Sequence, residues 1–328
     1  MLKIKQNESL VKYTTFKIGG PAKFFVEVNT AEELVEAVKW TRRRQVSGVA
    51  SNEKFFVIGG GSNLLVDDKG FDGLVIRLNG KAVEIADNEV KVFAGVSLSA
   101  MIRKTIEAGL AGLEFAANIP GAVAGAVRGN AGAYGRGVGD FVEKVEALFV
   151  DTMEIKTLTH DECEFSYRDS LFKKKDGIII LNIEFRLPKT DVDADETLKQ
   201  IQQEWTARQA KQPLEYPSAG CAFVNIEAAK LTNEQRATLK HLIVDGKIAA
   251  GCLIEKSGLK GKRIGGAQIS EKHANFIVNV DNAKAADVGA LIELVKATVQ
   301  SKFGIVLAAE IQYLNSKSEA LNPKQIRN

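Results

Sequence analysis

The stretch FFVIGGGSNLLV, residues 55–66, places three glycines between two apolar runs. The run before the glycines predicts a buried strand, and the glycines would allow the backbone N–H groups after it to converge on an anion. Ser62 and Asn63 would add side-chain donors. The stretch is not a P-loop, because no Gly-Lys-Ser/Thr follows, and it is not GxGxxG, because Leu64 occupies the last glycine position. Taken alone, it is compatible with an anion-binding loop and equally with a plain strand turn.

A second glycine-rich stretch, AANIPGAVAGAVRGNAGAYG, covers residues 116–135. It contains too much glycine for a stable helix and is too apolar for a solvent-exposed linker. Small residues over that length suit a backbone that approaches a large ligand closely. Two such stretches predict a dinucleotide with a pyrophosphate and a flat ring, and tight packing of elements on glycine faces is the alternative. The residues predicted to bind the dinucleotide are Gly59, Gly60, Gly61, Ser62, Asn63, Asn118, Ile119, Pro120, Gly121, Gly125, Gly132 and Tyr134.

Strands mixed with helices surround the glycine-rich stretches, which predicts the α+β fold class. Besides the strand before the first glycines, strands are predicted at residues 22–28, 73–78, 89–95, 144–151, 153–159, 177–187 and 304–314. Helices are predicted after the capping box at Thr30–Glu33, from Ser97 or Ser99 to Gly109, before Pro213, and before Gly304.

A shift to polar composition near Lys189 predicts a domain boundary near residue 205. Residues 1–205 are assigned to a dinucleotide-binding domain with two subdomains, about 1–80 and 81–205. Residues 206–315 are assigned to a second domain, and residues 316–328 to a loose polar tail. A chain of 328 residues is long enough for two cores of this size.

Composition and charge argue against several classes of protein. The chain is 45% hydrophobic and 26% charged with a net charge of +3, so nothing favours binding to nucleic acid or membranes. The sequence shows no signal peptide and no membrane-spanning run, which predicts a cytoplasmic protein with reduced thiols. The three cysteines stand far apart without a CxxC pair and the three histidines are scattered, so we expect neither a metal site nor a disulfide.

Three residues outside the glycine-rich stretches could carry chemistry. Cys221, in YPSAGCAFVN, would be a small buried side chain, a nucleophile or an acid. Arg168, in the YRDS sequence, would either pair with Asp169 at the surface or offer a fork of donors to a carboxylate. Glu310 falls on one face of the predicted closing strand with Val306, Ala308 and Gln312, where an exposed glutamate is the plain interpretation. The apolar face of that strand would comprise Ile305, Leu307, Ala309, Ile311 and Tyr313.

Seven segments, taken together, resemble the UDP-N-acetylenolpyruvoylglucosamine reductase (MurB) family. They are TTFKIGGPAKFF, VIGGGSNLLV, NIPGAVAGAVRGNAGAYG, FSYRDS, KQPLEYPSAGCAFVN, GLKGKRIGGAQISEKHANFIVN and LAAEIQYL. The segments occur in the order of the family and extend from Tyr13 to Leu314. A single segment of this kind would be weak, but seven in order make the resemblance specific.

The resemblance implies a two-part FAD-binding fold of the vanillyl-alcohol-oxidase type, followed by a substrate-binding domain. It implies that FAD is bound non-covalently and reduced by NADPH. A hydride would then pass from flavin N5 to the enolpyruvyl ether of UDP-N-acetylglucosamine, giving UDP-N-acetylmuramate for peptidoglycan synthesis. The partners would therefore be small molecules, and the protein is expected to be a monomer.

The resemblance also implies roles for individual residues. Arg168, Glu310 and Cys221 occupy the positions of the catalytic residues. Arg168 would stabilise the charge that develops on the substrate carboxylate, and Cys221 would donate the proton. Glu310 would either be protonated or order a water molecule. The substrate-binding positions are occupied by Tyr167, Arg208, Lys211 and Asn225.

The sequence departs from the family pattern in two places. Val224 and Ile226 stand where lysine and proline are common, so no substrate contact is assigned to position 224. The short segment between Leu187 and Leu198 resembles the subclass that lacks a tyrosine-bearing loop, so no tyrosine clamp is expected.

Two other functions fit parts of the sequence. A non-catalytic FAD-binding module would retain the glycine-rich stretches but would not need Arg168, Cys221 and Glu310 together. An oxidase of the same flavin superfamily commonly tethers its flavin through histidine, and no histidine lies near either glycine-rich stretch.

Overall fold

The first sheet contains four strands in the order β1-β2-β7-β5, of which only β1 is antiparallel to its neighbour. The computed structural model describes residues 2–315 except 44, 47, 48, 51, 52 and 134, so the predicted polar tail lies outside the described residues. The parallel strands are largely apolar because helices and a second sheet cover them. The elements of this part are β1 Lys5–Ser9, β2 Pro21–Val28, α1 Ala31–Arg43, β3 Gln45–Val46, β4 Val49–Ala50, β5 Phe55–Ile58, β6 Leu64–Val66 and β7 Phe71–Leu78.

The second sheet is antiparallel and contains five strands in the order β13-β12-β14-β9-β8. One continuous apolar core joins this sheet to the first, with helices α1, α2 and α3 contributing to it. The elements are β8 Val83–Ala86, β9 Glu89–Phe93, α2 Leu98–Glu107, α3 Val123–Arg128, β10 Gly132–Ala133, β11 Arg136–Gly137, β12 Val142–Phe149, β13 Glu154–Thr159, α4 Leu171–Lys174, β14 Ile178–Arg186 and α5 Ala194–Lys211.

The third part is built on a sheet in the order β15-β21-β20-β19 and on the long helix α8. Its core also contains Phe16, Ile18 and Leu65, so residues from the start of the chain complete it. The elements are β15 Ser218–Cys221, β16 Ile226–Glu227, α6 Asn233–Thr238, β17 Ile243–Val244, β18 Lys247–Ile248, α7 Ala250–Lys256, β19 Arg263–Ile264, β20 Ala267–Ile269, β21 Phe276–Asn279, α8 Ala285–Phe303 and β22 Gln312–Leu314.

The α+β fold class and most predicted elements are confirmed. The predicted capping box begins α1, because the Glu33 N–H donates to the Thr30 hydroxyl at 3.2 Å. Gly109 follows α2 with φ of +72°, and Gly304 ends α8 in the left-handed conformation that glycine adopts without strain.

The prediction that the second glycine-rich stretch forms no helix is wrong. Helix α3 occupies residues 123–128 within it. Val123, Ala126 and Val127 are buried on one face, three and four residues apart. Packing of that face on the core therefore outweighs the cost of about 1 kcal/mol that a glycine imposes within a helix.

The predicted strand at residues 304–314 is also largely wrong. Only Gln312–Leu314 forms a strand, and it pairs in parallel with β6. Tyr313 is 47% exposed whereas Leu314 is fully buried, so the predicted alternation of faces fails at the end of the segment. The reason is a change of partner, because residues 308–310 contact the chain after Cys221 before residue 312 joins β6.

The predicted domain boundary near residue 205 falls inside α5. Leu198 and Ile201 of this helix pack against the core shared by the first two sheets. The helix therefore connects the second sheet to the third part of the chain, and the exact boundary stays a prediction.

Candidate active site

The two glycine-rich stretches lie against each other. A Cβ atom on Gly60 would be 2.9 Å from the Gly121 Cα, and one on Gly59 would be 2.7 Å from the Ala122 Cβ. The Ser62 hydroxyl donates to the Pro120 carbonyl at 2.8 Å. Glycine is therefore needed for this contact, which is the packing role that the sequence left open.

The contact also leaves room for a ligand. Within the described part of the chain, nothing accepts a hydrogen bond from the backbone N–H groups of Gly60, Gly61 or Ser62. Gly61 has φ of +61°, and successive N–H groups in such a turn can form an anion-binding concavity. A Cβ on Gly125, in α3, would meet no atom within 4 Å, so this helix faces open space. Open donors beside a small-residue surface fit the pyrophosphate and ring of FAD.

Several of the other residues predicted to bind the dinucleotide make hydrogen bonds or packing contacts within the protein. The Asn63 amide donates to the Glu310 carbonyl at 3.0 Å, and the Asn118 amide donates to the Ile201 carbonyl at 3.3 Å. Both side chains are thus used within the protein. Ile119 packs against the first core, and Gly132 begins the β10–β11 hairpin, where a Cβ would be 2.2 Å from the Arg136 carbonyl. Tyr134 lies outside the described residues.

Arg168 occupies a tight turn. Ser166 and Asp169 exchange two backbone hydrogen bonds of 3.1 Å, and Arg168 between them has φ of +57°. This left-handed conformation is unfavourable for a side chain with a Cβ. Two contacts hold the turn in place. The Asn130 amide donates to the Ser166 carbonyl at 2.8 Å, and the Ser170 hydroxyl donates to the Arg128 carbonyl at 2.7 Å. These hydrogen bonds maintain a backbone conformation that costs about 1–2 kcal/mol for a residue with a Cβ.

The turn directs the Arg168 side chain at Glu310, with 3.9 Å between Nε and Oε1. Arg168 thus faces Glu310 and not Asp169, and the two residues come from parts of the chain far apart in sequence. Burial raises the pKa of the Glu310 carboxyl above its usual range, although Arg168 and Lys173 act against this. Glu310 is therefore not a plain exposed glutamate, and burial makes its carboxylate harder to form than that of a free side chain.

Cys221 lies at the end of β15, half-buried beside both of these residues. Burial and the negative charge of Glu310 raise the pKa of its thiol to about 11, while Arg168 and Arg208 act in the opposite direction. The thiol is consequently protonated at neutral pH. A nucleophilic cysteine would require a lowered pKa, so the environment favours an acid.

The four predicted substrate-binding residues make different contacts, and only Arg208 is among the charged groups that act on Cys221. Arg208 donates to the Gln212 side chain and to the Asn118 carbonyl, both at 2.7 Å, which ties the end of α5 to the second glycine-rich stretch. Lys211 is exposed at the last position of α5. The Asn225 side chain accepts a hydrogen bond from the Ala250 N–H at 3.1 Å, at the start of α7. Tyr167 is 42% exposed.

Two lysines near the site were not predicted from the sequence. The Lys247 ammonium lies 3.2 Å from the centroid of the Tyr167 ring, a cation–π contact between the second and third parts of the chain. Lys173 donates to the Arg168 carbonyl at 2.7 Å. Lys173 follows YRDS closely in sequence and could have been found there, whereas nothing local distinguishes Lys247.

The described residues were also compared with the predictions about metal sites, disulfides and membrane-spanning segments. Among the described residues, no group of three histidine, cysteine, aspartate or glutamate side chains is arranged to hold a metal ion. All three cysteines are unpaired thiols. Over the same part of the chain, no helix has both the length and the apolar character needed to cross a membrane.

Comparison with known proteins agrees with this arrangement. Residues 22–158 match the family profile described as "FAD binding domain", and residues 212–314 match "UDP-N-acetylenolpyruvoylglucosamine reductase, C-terminal domain". Proteins named UDP-N-acetylenolpyruvoylglucosamine reductase from Halalkalibacterium halodurans and Carboxydothermus hydrogenoformans are 41% and 39% identical to it. The first alignment covers 96% of this chain and 95% of the relative, and the second covers 95% and 94%.

A solved structure gives the same result for the fold. The UDP-N-acetylenolpyruvylglucosamine reductase (MurB) from Thermus caldophilus superposes with a TM-score of 0.72 at 33% identity. The superposition covers 96% of this chain and 99% of that chain. Since the profiles, the relatives and the fold agree over almost the full length, the chain belongs to the UDP-N-acetylenolpyruvoylglucosamine reductase family.

Proposed function

We propose that the protein reduces the enolpyruvyl ether of UDP-N-acetylglucosamine to UDP-N-acetylmuramate, a step of peptidoglycan precursor synthesis. FAD is the bound cofactor and NADPH is the hydride donor. The observation that carries this proposal is the cluster of Arg168, Glu310 and Cys221, which the fold assembles from three distant segments. A module that only binds FAD has no use for a protonated thiol beside a carboxyl group and an arginine.

FAD is held by the two glycine-rich stretches. The open N–H groups of Gly60, Gly61 and Ser62 suit its pyrophosphate, and the open face of α3 at Gly125 suits its ring. Non-covalent binding is the family expectation, and no histidine, the residue that oxidases of this superfamily commonly use as a tether, falls within either stretch. When bound, FAD would supply hydride transfer from NADPH to the methylene carbon of the substrate.

Arg168 stabilises the charge that hydride addition creates. Addition to the methylene carbon leaves negative charge on the neighbouring carbon and on the carboxylate attached to it. A guanidinium preset by its turn can hold that carboxylate through two parallel hydrogen bonds. Burial raises the pKa of the Glu310 carboxyl, and in its protonated form Glu310 would donate a further hydrogen bond to the same charge.

Cys221 completes the reaction by supplying the proton. Its S–H bond breaks, a C–H bond forms at the carbon next to the carboxylate, and the thiolate is reprotonated from solvent. A thiol with a pKa of about 11 is protonated at neutral pH. It is a weak acid, but a carbanion-like carbon is basic enough to accept a proton from it.

Tyr167, Arg208, Lys211 and Asn225 are proposed to bind the remainder of the substrate. The two cationic residues suit the diphosphate, and both lie on the last turn of α5, close to the second glycine-rich stretch. The connection from β14 to α5 covers only residues 187–193, which supports assignment to the subclass without a tyrosine-bearing loop.

We propose that the protein works in the cytoplasm as a monomer. Three unpaired thiols suit a reducing compartment.

The deciding experiment follows the colour of the protein. We expect purified protein to be yellow and to release FAD on denaturation. Anaerobic NADPH should bleach it, and the enolpyruvyl sugar should then restore the colour and yield UDP-N-acetylmuramate. Bleaching without reoxidation by the sugar would indicate another flavoenzyme, and colourless protein that takes up no FAD would refute both cofactor and function.

A further inference from the structure

Asn275 lies immediately before β21, against the segment that carries Cys221. Its side chain is only 3% exposed. The Asn275 Oδ1 accepts a hydrogen bond from the Phe223 N–H at 3.0 Å, and its Nδ2 donates to the Phe223 carbonyl at 2.9 Å. The Asn275 backbone carbonyl accepts from the Ala222 N–H at 2.7 Å. One buried residue thus makes three hydrogen bonds to the two residues that follow Cys221.

The strand pairing explains why these hydrogen bonds are needed. Ser218 pairs with Val278 and Cys221 pairs with Phe276, so β15 contains one extra residue relative to β21. Gly220 in this bulge has φ of +76°. A bulge redirects the side chain beside it and interrupts regular pairing. Beyond Cys221 the strand ends, and the Asn275 amide replaces the backbone of a partner strand.

The same segment contacts the C-terminal stretch on its other side. The Glu310 N–H donates to the Ala222 carbonyl at 2.8 Å, and the Val224 N–H donates to the Ala308 carbonyl at 3.0 Å. Glu310, Arg168 and Arg208 are the charged groups around the Cys221 thiol. Asn275 therefore fixes the path of the chain directly after Cys221, beside these groups.

We propose that Asn275 is a positioning residue, which aims the Cys221 thiol at the substrate carbon and keeps it in register with Glu310. This inference rests on the proposed function. Asn275 does not contact the reacting atoms itself, and its effect is exerted through Cys221.

The first test uses the full-length, FAD-loaded protein and follows the two half-reactions by flavin absorbance. Asn275→Ala should be reduced by NADPH at nearly the wild-type rate. Its reoxidation by the enolpyruvyl sugar should slow on the order of 100-fold, because a displaced catalytic group loses about that much. The matched control is Asn279→Ala, which removes the asparagine at the other end of β21. The Asn279 side chain bonds to Phe16 and Ala283, and only its backbone N–H, which alanine keeps, contacts the Cys221 segment at the Pro217 carbonyl, so both half-reactions should persist.

A double-mutant cycle separates positioning from general structural damage. On a Cys221→Ala background, Asn275→Ala should cause almost no further loss, because no thiol remains to be aimed. An undiminished loss on that background would overturn the proposal. It would mean that Asn275 acts on the fold alone.

Asn275→Asp keeps the test decisive if the alanine variant does not bind FAD. Aspartate has the same shape and keeps the acceptor for the Phe223 N–H, but it loses the donor to the Phe223 carbonyl and adds a carboxylate. The added negative charge raises the thiol pKa, so alkylation of Cys221 by iodoacetamide should require higher pH than in the wild type. Unchanged alkylation together with wild-type reoxidation would overturn the proposal. A wild-type protein that the sugar does not reoxidise would refute the proposed function, while alkylation would still show whether Asn275 controls the thiol.

Discussion

The backbone N–H of Glu310 donates a 2.8 Å hydrogen bond to the carbonyl of Ala222, the residue that follows Cys221. The carboxyl group and the thiol are therefore positioned relative to each other by the main chain. Replacing either side chain leaves this hydrogen bond intact. Single substitutions at these two positions consequently report on chemistry more than on structure.

Cys221→Ala should leave reduction by NADPH intact and slow reoxidation by the enolpyruvyl sugar by roughly 100- to 10,000-fold, the usual contribution of a positioned general acid. Cys221→Ser should keep substantial activity, because a hydroxyl can also deliver a proton. Anaerobic stopped-flow absorbance measures both phases. If the alanine variant is reoxidised at nearly the wild-type rate, the thiol only fills space and the proton comes from elsewhere.

The pH dependence of reoxidation should identify the thiol as the acid. Only the protonated thiol can donate, so the wild-type rate should fall as the pH approaches the thiol pKa of about 11. The Cys221→Ser variant should lack this alkaline decline. Thermal unfolding over the same pH range provides the control, and a decline common to both proteins would point to loss of the fold.

Arg168→Ala and Glu310→Ala should fold and bind FAD but lose turnover on the order of 100- to 1,000-fold, the typical cost of removing one charge-stabilising donor. Reduction by NADPH should suffer much less, because that half-reaction develops no charge on a substrate carboxylate. Separate rates for the two half-reactions test this. Equal loss in both would mean that the pair shapes the FAD site instead.

Arg168→Gly should be more stable than Arg168→Ala by about 1 kcal/mol, because glycine relieves the cost of the left-handed turn. Both variants lose the guanidinium, so the comparison isolates the backbone at φ of +57°. Thermal midpoints of the two FAD-free proteins measure the difference. Tyr167 serves as the control position, since it does not have a positive φ, and there glycine should be the less stable substitution.

Glu310→Gln should raise the thermal midpoint at neutral pH. Burial in the folded protein raises the pKa of the Glu310 carboxyl. The contribution of this group to the free energy of unfolding is therefore full below its ordinary pKa of 4.5, and it is lost as the pH rises through the folded-state pKa. Glutamine removes that decline, so the gain should vanish below pH 4.5. Glu215→Gln provides the opposite case, because a backbone hydrogen bond and Lys272 lower the pKa of Glu215, and it should bring no gain.

Gly125→Ala should stabilise the FAD-free protein and weaken FAD binding. A helical glycine costs about 1 kcal/mol relative to alanine, and the added methyl group would enter the space assigned to the cofactor. Gly289→Ala, in α8, is the matched control because its Cβ would also meet no atom within 4 Å. It should give the stability gain alone. Flavin titration measures the FAD affinity of both variants. Equal affinity would show that the space at Gly125 is not part of the FAD site.

Local patterns were enough to predict most of the fold. Strands with an apolar run or clear alternation, such as β2, β7 and β14, were predicted within a few residues of their ends. The capping box at Thr30 and the glycine after α8 were also correct, because both signals depend on neighbours within one helical turn.

The failures share one physical cause, which is contact between distant segments. Helix α3 forms despite its glycine because the core accepts its apolar face. The stretch around Glu310 is irregular because it contacts the Cys221 segment and then joins β6. Arg168 was assigned its role by resemblance, but nothing in YRDS indicates that its partner is Glu310. For the same reason the sequence did not single out Asn275.

The pairing of β22 with β6 has a consequence for how the protein is made. The loop of Gly59–Asn63 is joined at its end to Glu310 and Gln312, which the ribosome adds about as late as any part of the fold. A nascent chain that has exposed both glycine-rich stretches therefore still lacks the strand that fixes the first of them. The contacts that fix the end of the first glycine-rich loop therefore form only after synthesis has passed Leu314.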